Sequence, residues 1–185
     1  MRVALIGPPG CGKGTQAKLL QERLGLTCIG TGDMLREAIE QQTSVGKLAE
    51  PYLTQGKLVP DEVVNEIVAE RLRQPDRPAQ FVIDGYPRTA GQAVQLDAVL
   101  RELKLGLDAV IHFVIDENEV VRRLLSRGRK DDTEKTVRFR LRVFRETAAE
   151  LLKHYRRLGL LREVSADDTI EGLYAKIAAL FQPKN

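Results

Sequence analysis

Cysteine is nearly absent from this chain, and its scarcity excludes two classes of small fold. Cys11 and Cys28 are the only two, in no CxxC spacing, so neither a disulfide framework nor a structural zinc site can be built from them. Both read as free thiols of a reducing compartment. No apolar run approaches the ~18 residues that span a bilayer, and a single arginine precedes the first apolar strand, which leaves no place for a signal peptide. A soluble, cytoplasmic protein without a membrane partner is expected. Charge of one sign is not in excess either: 29 basic against 26 acidic side chains leave +3, too mild a balance to argue for nucleic acid. Internal repeats and low-complexity segments are missing.

With 185 residues, 43% of them apolar, the chain has room for one globular body with its own core. Short β-branched or apolar runs alternate with longer amphipathic stretches, which predicts βα units around a five-stranded parallel sheet in a three-layer α/β/α fold. Strands are expected at residues 2–6, 26–29, 80–84, 109–115 and 161–165. Helices are expected at 13–24, 33–41, 61–73, 90–104, 117–127, 133–158 and 169–181. Between Gly30 and Pro60 lie two short helical patterns with no strand, punctuated by Gly46, Pro51 and Gly56. They predict a small insertion beside the sheet. The segment Ser126 to Thr133 is too charged to pack and reads as an exposed loop.

The most informative stretch is Leu5-Ile6-Gly7-Pro8-Pro9-Gly10-Cys11-Gly12-Lys13-Gly14-Thr15. An apolar strand feeds a glycine-rich loop, and a helix follows. Glycines let the backbone turn tightly so that successive N–H groups point inward, Lys13 adds a mobile cation, and the helix N-terminus adds its own unpaired donors. Such a loop is built to hold a polyphosphate. The general pattern places Ser or Thr directly after the lysine, where this chain has Gly14. Without that hydroxyl, a magnesium ion must be held by phosphates, waters and a carboxylate.

Asp84, closing the run Phe81 to Ile83, supplies one. In an open α/β sheet ligands sit beyond the carboxyl ends of the strands, so Asp84 is expected to face the phosphate loop and to organise the hydration shell of Mg2+. Arg88 and Gln92 follow at the same rim; an arginine can clamp a phosphate, and an amide can match adenine. Thr31 and Arg36 stand at the end of the second strand, with Asp33 between them expected as a helix N-cap. Ten basic residues crowd the 24 positions from Arg122 to Arg145. In the long helix there, Val137, Leu141, Phe144, Ala148 and Leu151 form the packed stripe. Arg140 borders that stripe, whereas Arg138, Arg142 and Arg145 lie on a solvated face. Arg123 and Arg127 share a face of the preceding helix, and Arg129 lies in the charged loop. His112 and His154 read as structural.

These residues together resemble an adenylate kinase of the nucleoside-monophosphate kinase family, in its short-lid form. The resemblance covers nearly the whole chain. It is carried by Gly7 to Thr15, Thr31-Gly32-Asp33-Met34-Leu35-Arg36, Leu58-Val59-Pro60-Asp61, Asp84-Gly85-Tyr86-Pro87-Arg88-Thr89, and Arg129-Lys130-Asp131-Asp132 followed by Arg140. It implies reversible phosphoryl transfer between MgATP and AMP, giving two ADP, by a monomer with no structural zinc and no nucleic-acid partner. Residues 1–29, 60–125 and 133–185 would form the core, 30–59 the monophosphate-binding insertion, and 126–132 the lid. ATP would be cradled by Gly10, Cys11, Gly12, Lys13, Gly14 and Thr15, with Arg127 on its phosphates, Arg123 on its adenine and the backbone at Asp168 on its base. AMP would be bound by Thr31, Arg36, Lys57, Leu58, Val59, Gly85, Tyr86, Pro87, Arg88 and Gln92. Arg129 and Arg140 would bridge the transferring group. The inserted small β domain of the long-lid form, with its zinc-binding cysteines, is not in this sequence.

Three other readings remain open at this stage. A UMP/CMP kinase shares the scaffold, and Thr31, Thr89 and Gln92 favour adenine over it. A nucleotide-binding switch without catalysis would lack one of Lys13, Asp84, Arg88, Arg129 or Arg140, and all are present. An RNA-binding protein would use the basic segment, but only Phe139 and Phe144 lie near it, and Phe144 belongs to the packed stripe.

Overall fold

Period-two alternation along the strands decides the layers. In the computed structural model, which describes residues 1–127 and 133–181, strand β1 spans Arg2–Ile6, β2 Thr27–Gly30, β3 Phe81–Asp84, β4 Ala109–Val114 and β5 Leu161–Ser165. All neighbours are parallel, in the order β2-β3-β1-β4-β5. Val3 and Leu5, Val82, and Ala109, Ile111 and Phe113 point to one face. Ala4 and Ile6, Phe81 and Ile83, and Val110 point to the other. Both faces of a parallel sheet need helical cover, because its crossovers deposit helices on both sides.

Helices α1 (Lys13–Leu24) and α8 (Ile170–Ala179) cover the first face, through Ala17, Leu20, Leu173 and Ile177. The second is covered by α4 (Asp61–Arg73), α5 (Ala90–Glu102) and the C-terminal half of α7 (Glu134–Arg157), through residues such as Leu72, Leu96 and Leu151. A third, smaller cluster joins α6 (Glu117–Arg127) to the N-terminal half of α7 through Val120, Leu124, Val137 and Leu141. The α7 stripe therefore serves two cores in turn. Phe144, expected inside that stripe, is only half-buried, because it also faces the cleft described below.

Element positions match the sequence expectations within about two residues. One expectation is corrected. Asp33 is not the N-cap of α2 (Thr31–Glu40): β2 runs straight into the helix, Gly30 is the capping residue, and no side chain caps it. With no loop between strand and helix, Asp33 falls inside the first turn, where the helix dipole favours its charge and where it pairs with Arg36 one turn on. The second helix between β2 and α4, α3 (Ser44–Thr54), runs through both Gly46 and Pro51 rather than breaking there. Pro51 has no N–H to offer the carbonyl of Lys47, a residue on the exposed side of the helix. Gly46 is the contact with α2: a Cβ there would stand 2.1 Å from the carbonyl oxygen of Ala38. No helix among the described residues is long and apolar enough to cross a membrane.

Strand order reverses at β1, since the chain steps outward to β2, returns through β3 and crosses over to β4. That reversal opens a crevice beyond the carboxyl end of β1, where its neighbours diverge. The loop at this crevice leads into α1, which packs on the sheet. Leu20 is fully buried in that contact, so Leu20→Ala is expected to lower the unfolding free energy by about 2–5 kcal/mol. Urea denaturation would check this, and a loss below about 1 kcal/mol would show that the helix is held elsewhere.

Candidate active site

The chain leaves β1 at Ile6, turns through residues 7–12 and enters α1 at Lys13. Gly10 (φ 82°) and Gly12 (φ 100°) adopt left-handed conformations that L side chains rarely take. A Cβ at Gly10 would in addition stand 2.6 Å from Cγ of Leu124. Gly12 is the N-cap, and no side chain caps the helix. Its first N–H groups are left for another acceptor, the condition for an anion site. Lys13 Nζ is folded back over this loop and donates to the carbonyls of Gly7 (2.7 Å) and Pro8 (2.9 Å). Asp84 faces the same turn, as the strand-end argument requires: a Cβ on Gly14 would lie 3.4 Å from its Oδ2.

A cleft of about 840 Å3 opens beside the loop. Gly10 and Lys13 form part of its wall, and Arg36, Lys57, Leu58, Gly85, Pro87, Arg88 and Arg140 another part. Arg88 Nε donates to the carbonyl of Gly85 at 2.7 Å. Arg88 as a whole is exposed to solvent, and it lines this cleft. Desolvation lowers its pKa and the charge of Arg140 acts in the same direction, while Asp84 opposes them. Arginine remains charged through such a shift. Arg140 reaches the turn after α3, with Nε 3.2 Å from the position of a Cβ on Gly56. Apolar side chains complete the wall, among them Ile39, Leu53, Val143 and Leu151. Nothing in their spacing marked them, because each also fits an ordinary helix core.

Other candidates stand behind this wall. Thr31 is buried, and its Oγ1 donates to the Asp84 carbonyl at 3.3 Å. Val59 and Tyr86 are buried too, as is Cys11 under the loop. The Tyr86 hydroxyl lies 2.7 Å from Asn65 Oδ1 and 3.0 Å from the carbonyl of Gln92, and burial pushes its pKa far up. Gln92 is 2% exposed. Its Oε1 accepts from the Arg88 backbone N–H (2.7 Å) and its Nε2 donates to Asp61 Oδ1 (2.8 Å). Asp61 Oδ2 also accepts from Thr89 Oγ1 at 2.5 Å. Read from the sequence, Asp61 was only a helix start, since nothing local links it to residues 28 and 31 positions away.

A second group gathers where α1, α6 and α8 meet. Arg123 Nη1 donates to the carbonyl of Ala166 (3.1 Å), which sets it against the turn before α8. The buried Gln16, one turn into α1, donates through Nε2 to the carbonyl of Ile170 (2.9 Å) and ties the loop helix to that same turn. Asp168 is held by the Thr169 N–H (2.6 Å) and by Lys176 (2.7 Å), which hold its carboxyl below the usual range. Gly14 and Thr15 are exposed. None of Gly12, Gly14, Thr15, Arg123 and Asp168 belongs to the cleft wall. Arg129 and most of the 126–132 loop lie outside the described residues, and the side chain of Arg127 is not described.

Away from both groups, Arg138 pairs with Glu134 and Arg145 with Glu117, as expected of a solvated face. His112 lies 3.4 Å from Glu163, with its pKa pushed down chiefly by burial, and His154 lies 2.6 Å from Asp97. Both cysteines are free, and burial, with the charges of Asp84 and Asp33, pushes the Cys28 thiol up to about 11. Among the described residues no three His, Cys, Asp or Glu side chains gather as a metal-binding group.

The chain matches a family model described as Adenylate kinase over residues 5–160. It is 52% identical to the adenylate kinase of Nocardia farcinica, over 84% of this chain and 86% of the relative. It is 42% identical to the adenylate kinase of Archaeoglobus fulgidus over 98% of each chain, and 46% identical to that of Thermobifida fusca over 92% and 93%.

Arg123 is oriented by Glu119, whose Oε1 accepts from its Nε at 2.6 Å. Hydrogen bonds from Arg122 and Arg123 hold the Glu119 carboxyl at about 2, against an ordinary 4.5. As pH falls, the unfolded chain takes up this proton first, so the stabilisation is complete above about 4.5 and is lost between there and about 2. Glu119→Gln should therefore flatten the acid limb of a stability–pH profile in that window, leaving the neutral limb parallel to wild type; identical acid limbs would show the pair to be idle.

Proposed function

The chain belongs to the adenylate kinase family, and on that premise we propose that it transfers the terminal phosphoryl group of MgATP reversibly to AMP, giving two ADP. The observation that carries this reading is the single cleft whose wall contains Lys13 of the phosphate loop together with Arg36, Arg88 and Arg140. Two polyanions can meet there. One would enter over the loop and the N-terminus of α1, the other among the arginines of the insertion side. Residues 30–59, which include α2 and α3, are the proposed monophosphate-binding insertion, and 126–132 the proposed lid.

No side chain is needed as a base. The monophosphate of AMP is largely dianionic at neutral pH, with a second pKa of about 6, so its oxygen is already a nucleophile. Catalysis then consists of alignment and of meeting charge as it moves among the β- and γ-oxygens. Lys13 must leave the carbonyls of Gly7 and Pro8 for phosphate oxygens. Arg88 exchanges a single carbonyl for an anion, which offsets the desolvation it already bears. Arg36 gives up an exposed partner, Asp33, for a better one. Arg140, with Arg129 of the lid, would bridge the transferring group, Arg127 would hold ATP phosphates and Arg123 would pack on the ATP base. Ile39, Leu53, Val143 and Leu151 offer the monophosphate nucleoside an apolar wall.

Asp84 fits magnesium. It is a single carboxylate at the strand end, set against Gly14 in the first turn of α1, and Mg2+ commonly takes one or two carboxylates, waters and substrate phosphates. Asp84 would hold the ion through its water shell, and the ion would supply charge neutralisation at the phosphates. Water competes with AMP for the phosphoryl group, so closure of the insertion and lid over both nucleotides would suppress hydrolysis.

A coupled assay of ADP formation from MgATP, with AMP, CMP, UMP or GMP supplied separately, tests the reading. Turnover is expected with AMP, and Arg88→Ala is expected to lower kcat by about 10²–10³ while the protein still folds. Turnover with CMP or UMP instead would assign a pyrimidine kinase. Absence of turnover with every acceptor would leave a nucleotide-binding protein without catalysis. Salt-dependent RNA binding that survives Lys13→Ala would point to the basic segment instead.

A further inference from the structure

The proposed donor nucleotide is received on two separate elements. The phosphate loop leads into α1 from the central strand β1, and the turn that meets Arg123 leads into α8 from the edge strand β5, with β4 between them. The two helices share an apolar cluster through Ala17 and Leu20 of α1 and Leu173 and Ile177 of α8. Such contact is non-directional, so it fixes how close the helices lie more firmly than how far one slides along the other. Arg23 and Glu171 add an ion pair, but both are exposed, and pairs of that kind contribute little.

Gln16 is bonded to both elements. Its backbone N–H donates to the carbonyl of Gly12 at 3.0 Å, which closes the first turn of α1 at the end of the phosphate loop. Its side-chain Nε2 donates at 2.9 Å to the carbonyl of Ile170, the first residue of α8. At 1% exposure the amide is shielded from competing water. Hydrogen bonds keep to a narrow range of distance and angle, so this one fixes the slide that apolar contact leaves free. Stability does not call for it. The Ile170 carbonyl has the N–H four residues on as its helical partner, and the other end of the amide, Oε1, has no partner among the described residues. A half-satisfied buried amide is less favourable than an apolar chain of the same length.

We propose that Gln16 is a positioning residue for the donor nucleotide: it sets the register of the phosphate loop against the turn before α8, so that a triphosphate and the base joined to it are received at one fixed spacing. The inference rests on the reading that the donor's phosphates lie on the loop and its base lies against Arg123 and the backbone near Asp168. Gln16 touches no substrate. A free phosphate chain does not span the two elements, and neither does AMP in its own site, so neither depends on the register.

The test measures KM for MgATP, KM for AMP and the inhibition constant of inorganic tripolyphosphate competing with MgATP, in wild type, Gln16→Met and Arg123→Ala. Methionine keeps the length of the side chain and loses the amide. In Gln16→Met, KM for MgATP is expected to rise about fivefold, with the tripolyphosphate constant and KM for AMP unchanged and the urea midpoint not lowered. A merely structural role predicts a lowered midpoint and a damaged loop that loses MgATP and tripolyphosphate together. Either that parallel loss or an unchanged KM for MgATP, while Arg123→Ala still weakens MgATP alone, overturns the positioning role and keeps the reading of the donor site. Should Arg123→Ala leave the ratio of MgATP to tripolyphosphate unchanged, the base does not lie at that turn, and the inference falls with the reading. Gln16→Leu carries the same expectations and the same overturning results if Gln16→Met fails to fold.

Discussion

Backbone carbonyls hold two cations, Lys13 and Arg88, at one end of the parallel sheet, and the arrangement of the site turns on that choice of partner. Lys13 is parked on two backbone carbonyls and Arg88 on one. Among the described residues neither has a carboxylate as its hydrogen-bond partner. Arg88 feels the charge of Arg140 and the cost of lost hydration. Each of these interactions is weaker than one with a phosphate, since charge-assisted bonds to anions are about twice as strong as neutral ones. In the proposed function these are the partners that polyanions would replace.

The fold makes that arrangement tolerable. Alternating strand residues bury two cores, one under α1 and α8 and one under α4, α5 and α7, so the cleft can stay open without weakening either. Gly14 has a comparable role on the acidic side, since the absence of a side chain there lets the Asp84 carboxylate stand against the first turn of α1. Charges of both signs meet at the strand ends because parallel strands all finish at one edge. Glu119 works outside the cleft: it orients Arg123 against the turn after β5.

Legibility in the sequence divides along physical lines. Period-two strands, a glycine loop and capped helices are set by neighbours in the chain, so all five strands and their helices could be read with small errors at their ends. The Asp33 error came from expecting a loop between β2 and α2 where the chain runs straight on. The loop between β1 and α1 could be read because its tight turn is written in the spacing of its glycines. The apolar wall of Ile39, Leu53, Val143 and Leu151 could not, since the same side chains would suit any helix packed on a sheet.

By itself the sequence determined the layer architecture and the glycine loop between β1 and α1, because those depend on periodicity and on residue type. Tertiary structure alone decided which of these residues share one cavity and which lie behind its wall. It also decided the partners of each polar group. Asp61 looks like a helix start in sequence, and becomes the acceptor for Thr89 and Gln92 only when α4 packs against α5. Hydrogen bonds of that range are chosen by the packing of whole elements, and no local pattern along the chain encodes them.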